Sequence, residues 1–244
     1  MKKTKKGDSL TSHAQNFINV LDNIKPYKHR FEIFSDWLIL ASATLYSWKK
    51  DKSVEEEYLQ IAKLYSASEL EQLTQLLIIT VEAFEEKIYD FLGEVFTLGG
   101  LSNERNGQFF TPFHISQFMA EVGIGETNCE KGRVLRISDP CCGAGGLLIA
   151  IVLVLKERGI NYQRDVFFVG TDIDHRCARM TFIQISLLAV PALIICGNTL
   201  TDEVFWQRET IGYHISKMDN RLRVEKVIDL MTNLDFQKED ENEE

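Results

Sequence analysis

The sequence predicts an α/β protein: a parallel sheet joined by its own crossover helices, preceded by an all-α unit. Three observations predict it. Apolar residues of the first hundred positions recur at intervals of three and four, with Pro26 the single proline there. Short β-rich runs alternate with helix-length runs after residue 133, which is the grammar of strands connected by helices. Acidic residues and glycines cluster where two of those runs end, in "SDPCCGAGG" and "VGTDID".

The elements follow in order. Helices are expected over residues 9–24, 31–49 and, with interruptions, 54–96. In the last, Leu70, Leu73, Leu76, Leu77, Val81, Phe84, Ile88, Phe91 and Leu92 form an amphipathic stripe. "LGGLSNERNG" then breaks the pattern as a connection. "HISQFMAEVGIG" reads as a helix, "RVLRISD" as a strand, and "GGLLIAIVLVLKERG" as a helix apolar on nearly every side, as one buried against a sheet would be. "DVFFVGTDID" is a second strand, "HRCARMTFIQISLLAV" a helix and "ALIICGN" a third strand. Beyond Thr201 the pattern weakens. Val224, Val227, Ile228, Met231 and Leu234 are spaced as in a helix, and no fourth strand is expected. The predicted division is a helical unit over residues 1–105, an α/β unit over 106–234, and an acidic tail over 235–244. A sheet that stops after three strands leaves an edge open to a second chain.

Composition bounds the function. With 244 residues, 45% of them hydrophobic, the chain can bury an ordinary core. A formal charge of −9 argues against a freestanding nucleic-acid binder, so any DNA contact is local. Lys2, Lys3, Lys5 and Lys6 at one end, and "DFQKEDENEE" at the other, read as solvated tails. The basic start is not followed by an apolar core of secretory length, and the longest apolar runs are about half a membrane span. A cytoplasmic location without membrane association is expected. Cys129, Cys141, Cys142, Cys177 and Cys196 contain no CxxC pair, so reduced thiols and no metal site are expected.

The chemistry gathers at the strand ends. Asp139 closes the first strand, Pro140 turns the chain, and Gly143, Gly145 and Gly146 lead into a helix. Ligands of open α/β sheets bind outside the carboxyl ends of the strands, where glycines allow close approach. Asp172 closes the second strand, where a carboxylate can accept hydrogen bonds from two ribose hydroxyls. A dinucleotide is the alternative on these residues alone. However, the GxGxxG spacing is not met, and Asp139 with Pro140 occupies the ground a pyrophosphate would need, which favours a nucleoside without phosphates. His114 and His175 lie near these motifs and read as surface or capping residues.

"GQFFTP" at residues 107–112, followed by "DPCCGAGG", "GTDID" and "CGNTL", resembles the methylation subunits of Type I restriction–modification systems and related adenine-specific DNA methyltransferases. The resemblance implies a Rossmann-like domain that uses S-adenosyl-L-methionine, short of the family's later strands and preceded by a helical domain. It further implies that Asp139, Pro140, Gly143, Gly145 and Gly146 hold the methionine part of that cofactor. By the same resemblance Asp172 would bind the ribose, Ile173 would pack on the adenine and Asn198 would lie at the adenine's edge. Gln108, Phe109, Phe110, Thr111 and Pro112 would close over the cofactor, with Thr111 near its carboxylate; the phenylalanines also suit a sealed core.

What the family adds for the methyl acceptor is a short Asn/Asp-Pro-Pro-aromatic loop, and no proline follows Pro191. Asn233 and Phe236 have an Asn-x-x-Phe spacing that is a distant candidate for that role; a helix is the simpler reading of their segment. Arg208, Lys217, Arg221 and Arg223, with Trp206 and Tyr213, could meet phosphates and stack a base, or form a solvated helix face. The implied function is adenine N6 methylation of DNA reached through a partner, either a specificity subunit or a second copy. The alternative is a catalytically inactive accessory protein that binds the cofactor or a partner.

Overall fold

The computed structural model describes residues 8–25, 27–101, 110–125 and 134–218, with side chains from Ser12 to Ser216. Its first part is helical: α1 (Asp8–Asn23), α2 (Arg30–Tyr46), α3 (Lys52–Ala62), α4 (Ala67–Glu86) and α5 (Phe91–Leu98). The long interrupted helix expected over residues 54–96 is three helices, because two polar side chains cap helix starts inside the apolar stripe. Ser66 opens α4 with a capping box: its backbone N–H donates to the Glu69 carboxylate at 2.7 Å, and its hydroxyl accepts from the Glu69 N–H. Asp90 opens α5 by accepting from the Gly93 N–H at 2.9 Å. Each cap is worth about 1 kcal/mol and defines the break.

These helices close on interlocked aromatic rings. Phe17 meets Trp37 edge-on at 5.0 Å between centroids and Phe91 at 5.9 Å, and Phe34 touches Phe96 at 6.0 Å. Trp37 donates its indole N–H to the Leu73 carbonyl at 3.1 Å, so this fully buried ring leaves no polar atom unpaired. The same apolar cluster continues through Cys177, Met180 and Ile183 into the second part of the chain.

That second part opens with α6 (Phe113–Ile124) and then alternates β1 (Leu135–Asp139), α7 (Gly146–Glu157), β2 (Val166–Asp172), α8 (His175–Leu187) and β3 (Ala192–Asn198). The strands lie in the order β1-β2-β3, mutually parallel, as the alternating pattern predicts. Val166, Phe168, Ala192, Ile194 and Cys196 face α7 and α8, and α7 is buried on most of its circumference between the sheet and α6. The opposite face is half covered, with Phe167 against Tyr213 of α9 (Ile211–Met218) at 5.3 Å.

A fourth strand, β4 (Glu203–Glu209), corrects the expectation of three. It runs antiparallel to β3, with a register shift between Cys196 and Gly197. Gly197 is required there, since a Cβ would lie 2.3 Å from the Glu203 carbonyl oxygen. The strand escapes a hydrophobicity reading because its buried side carries Arg208, which is 5% exposed, in place of an apolar residue. Arg208 and Arg179 of α8 both donate to the Ser42 hydroxyl at 3.0 Å and to the two oxygens of Glu57, at 2.9 and 2.5 Å. Both guanidiniums also stand against the Trp206 ring, Arg208 at 5.1 Å and Arg179 at 5.2 Å. Arg208 and Trp206 therefore fit neither sequence reading, phosphate and base contact or a solvated helix face: they lie on a strand, with Arg208 buried in the join of α2 and α3 to the sheet. Arg221 and Arg223 lie outside the described residues, as does the side chain of Lys217.

Candidate functional site

The loops after β1, β2 and β3 are tied together at the carboxyl edge of the sheet. Gly143 and Gly145 take positive φ angles of 56° and 94°, which bend the chain from β1 into α7. Within this turn the Cys142 N–H donates to the Thr171 carbonyl at 2.9 Å, and the Gly143 N–H donates to Asp172 Oδ2 at 2.8 Å. The Asp174 N–H occupies Asp172 Oδ1 at 2.9 Å, and the Cys141 N–H occupies Asp139 Oδ1 at 3.1 Å. Thr199 donates to the Pro140 carbonyl at 2.7 Å, drawing the third loop to the first. Each carboxylate oxygen retains a second lone pair, so Asp172 can accept further donors while holding its own loop.

Asn198 ends β3, and its Oδ1 accepts the Leu200 N–H at 3.0 Å, which leaves the amide NH₂ to point elsewhere. Ile173, just past Asp172, is 59% exposed, an apolar surface beside the two acidic strand ends. His175 is exposed, accepts the Trp206 indole N–H at 3.0 Å and stacks on Phe205; His114 is exposed on α6. Both histidines are surface residues.

A cavity of about 240 Å³ opens beside the turn, lined by Asp90, Phe110, Thr111, Asp139, Gly143 and Gly146 among others. The Phe110 ring covers Gly143, where a Cβ would come within 3.2 Å of it, and packs on Phe96 at 5.0 Å. This ring is both a wall of the cavity and part of the helical core. Thr111, which lines the cavity, and Pro112, which precedes α6, are both exposed. Gln108 and Phe109 lie outside the described residues, as do Asn233 and Phe236.

Two residues of this cavity's frame were not singled out in the sequence. Asp90 is 8% exposed, and its Oδ1 accepts from Gly93 and from Gln184 Nε2 at 2.8 Å. Gln184, fully buried on α8, also donates to the Ala144 carbonyl at 2.7 Å and accepts the Leu92 N–H at 3.0 Å. Asp90 Oδ2 projects between two glycines: a Cβ on Gly93 would lie 2.1 Å from it, and one on Gly146 would lie 2.9 Å away. The third glycine of the turn is thus needed to admit a carboxylate from the helical unit. A helix-capping pattern, Asp-x-x-Gly in "DFLG", is the one sequence signal that could have found it.

The electrostatics have one sign. Burial raises the carboxyl pKa values of Asp90, Asp139 and Asp172, and among the described residues no lysine or arginine lines the cavity. Burial favours the protonated form of these carboxyls, a cationic ligand would favour the ionised form, and free hydrogen-bond acceptors at strand ends suit hydroxyls. A nucleoside carrying positive charge satisfies both demands, whereas a phosphate would be repelled. Burial also pushes the Cys142 and Cys177 thiols well up, so neither is a nucleophile.

Fold and site together describe an α/β protein whose carboxyl sheet edge gathers a glycine turn and the acidic strand ends Asp139 and Asp172. The N-6 DNA methylase family matches residues 84–243, and the chain belongs to that family, whose methyl donor is S-adenosyl-L-methionine. A Type I restriction enzyme methylase subunit of Mycoplasma pneumoniae, MpnII, is 27% identical over 150 residues, covering 58% of this chain. The chain spans about a quarter, 26%, of that relative's length. Among solved structures, a class I S-adenosylmethionine-dependent methyltransferase from Listeria monocytogenes, described as putative, is 18% identical with a TM-score of 0.42, over 75% of this chain and 52% of that one. A type I restriction-modification methyltransferase subunit from Streptococcus thermophilus is 12% identical with a TM-score of 0.38, over 77% and 57%. Among the described residues, no helix is long and apolar enough to cross a membrane.

Proposed function

We propose that this chain holds S-adenosyl-L-methionine at the carboxyl edge of its sheet and serves DNA adenine N6 methylation of the restriction–modification type. The observation that carries the reading is the cavity between the Phe110 wall and the Asp139 turn, whose charged lining residues, among those described, are the acids Asp90 and Asp139. When bound, the cofactor supplies an electrophilic methyl group on a sulfonium. Asp172 accepts the ribose hydroxyls while the Gly143 and Asp174 N–H groups hold it still. Ile173 packs on the adenine, and the Asn198 amide meets its edge. Asp139, Pro140, Gly143, Gly145 and Gly146 cradle the methionine part, with Gln108, Phe109, Phe110, Thr111 and Pro112 closing from the other side. Asn233 and Phe236 are proposed for the acceptor side, where a base turned out of the helix would need an amide and an aromatic ring. Transfer to the amine is direct, without a covalent intermediate on the chain.

In this reading residues 1–105 are the helical scaffold, 106–234 the donor-binding unit and 235–244 a solvated tail, in a cytoplasmic protein. DNA is reached with a partner, a specificity subunit or a second copy. Calorimetry with S-adenosyl-L-methionine tests the premise: heat with the unaltered chain, and its loss in Asp172→Ala, are expected. Absence of binding, or undiminished binding in that variant, refutes it. Transfer of labelled methyl groups to mixed genomic DNA, alone and with a specificity subunit, then distinguishes a methyltransferase from an inactive accessory protein.

A further inference from the structure

Asp90 is a buried carboxylate whose two oxygens have different fates. Oδ1 is held by the Gly93 N–H and the Gln184 amide, and Gln184 is itself fixed by Leu92 and Ala144. Oδ2 receives no hydrogen bond among the described residues and lies beside Gly146 on the wall of the 240 Å³ cavity. Among the described residues no arginine or lysine offsets its charge; the neighbouring influences are desolvation and those two hydrogen bonds. A carboxylate in that setting is stable as an anion only when a cation reaches it from the cavity. Gly146 and Leu147 at the start of α7 also line the cavity, whereas Asp172 is not among its lining residues.

We propose that Asp90 Oδ2 receives the α-ammonium group of the ligand's amino-acid part, with Gln184 as the residue that positions it. The inference rests on the S-adenosyl-L-methionine reading above and deepens it. It assigns one end of the ligand to a residue contributed by the helical unit. Gly93 and Gly146 are small because the carboxylate must pass between them to reach the cavity. The bond formed is a charge-assisted hydrogen bond from an N–H of the ammonium to a carboxylate oxygen.

Asp90→Asn tests it, since the amide oxygen can keep both bonds made by Oδ1 while the NH₂ group puts a donor where the ammonium would sit. The probes are S-adenosyl-L-methionine, S-adenosylhomocysteine and 5′-methylthioadenosine, titrated calorimetrically against the full chain. A loss of about 10- to 100-fold for the first two, with 5′-methylthioadenosine unchanged, is expected. Equal loss for all three shows a structural role and overturns the proposal, as does no loss for any. Loss for S-adenosyl-L-methionine alone assigns Asp90 to the sulfonium and overturns the ammonium assignment. Failure of the unaltered chain to bind any probe sinks the underlying reading. Gln184→Leu gives a second measure: it is expected to weaken the two amino-acid-bearing probes selectively, and to a smaller degree than Asp90→Asn.

Discussion

Glu57→Gln removes the one carboxylate that two buried guanidiniums share. Arg179 and Arg208 are each 5% exposed and reach its separate oxygens at 2.5 and 2.9 Å. The Arg179 guanidinium is already held below its usual range by desolvation, which Glu57 counteracts. At an effective dielectric constant of about 20, each contact is worth roughly 4 kcal/mol of gross attraction. Glutamine forfeits both and leaves two like charges meeting across Ser42 and Trp206. Breaking a buried pair costs about 3–5 kcal/mol; because the Glu57 side chain is 33% exposed, the lower figure applies. At about 2–4 °C per kcal/mol for a chain of this size, Tm should fall by roughly 6–12 °C in differential scanning calorimetry. In an Arg179→Met background the same substitution should cost measurably less, because one of the two repelling cations is gone. A Tm change below about 2 °C, or equal costs in both backgrounds, would refute the argument that these charges are mutually dependent.

Gly146→Ala should destabilise the chain by about 1–3 kcal/mol in urea unfolding, because its Cβ would press on Asp90 Oδ2 at 2.9 Å. Phe110→Ala removes both the cavity wall and the contact with Phe96, so a roughly tenfold loss of S-adenosyl-L-methionine affinity should accompany a lowered Tm. Asp90, Asp139 and Asp172 all have carboxyl pKa values raised in the folded chain. Each therefore adds stability that is fully present below about pH 4 and lost as pH rises through its folded value. The stability of Asp90→Asn relative to the unaltered chain should accordingly increase over that rise, and a flat difference in denaturation free energy would contradict it. Cys141 is exposed at the cavity, while Cys142 and Cys177 are buried. Iodoacetamide mapped by mass spectrometry should modify Cys141 before those two, and S-adenosyl-L-methionine should slow it.

The strong periods were legible. β1, β2, β3, α7 and α8 fall where alternating apolar runs put them, and Asp139 and Asp172 could be found because strand ends bear ligands in such sheets. β4 was not legible, because its inward position is filled by Arg208, whose partner Glu57 lies 151 residues away. Asp90 was hidden for a related reason. The apolar helical stripe continues on both sides of it, through Ile88 and Phe91, and its decisive contact, Gln184, is 94 residues distant. Periodicity reports which face of an element is buried; it does not report which polar group waits on the other side.

The Asp90 carboxylate wedged between Gly93 and Gly146 makes three scattered positions behave as a single inherited character. A side chain can grow at Gly146 only if the acid retreats, and the acid gains room only at the expense of the space those glycines leave. Among descendants of such a chain these positions should change together or not at all. Alanine at 146 should be tolerated in an Asp90→Ala background and resisted where aspartate remains, so the helical unit and the glycine turn cannot drift independently.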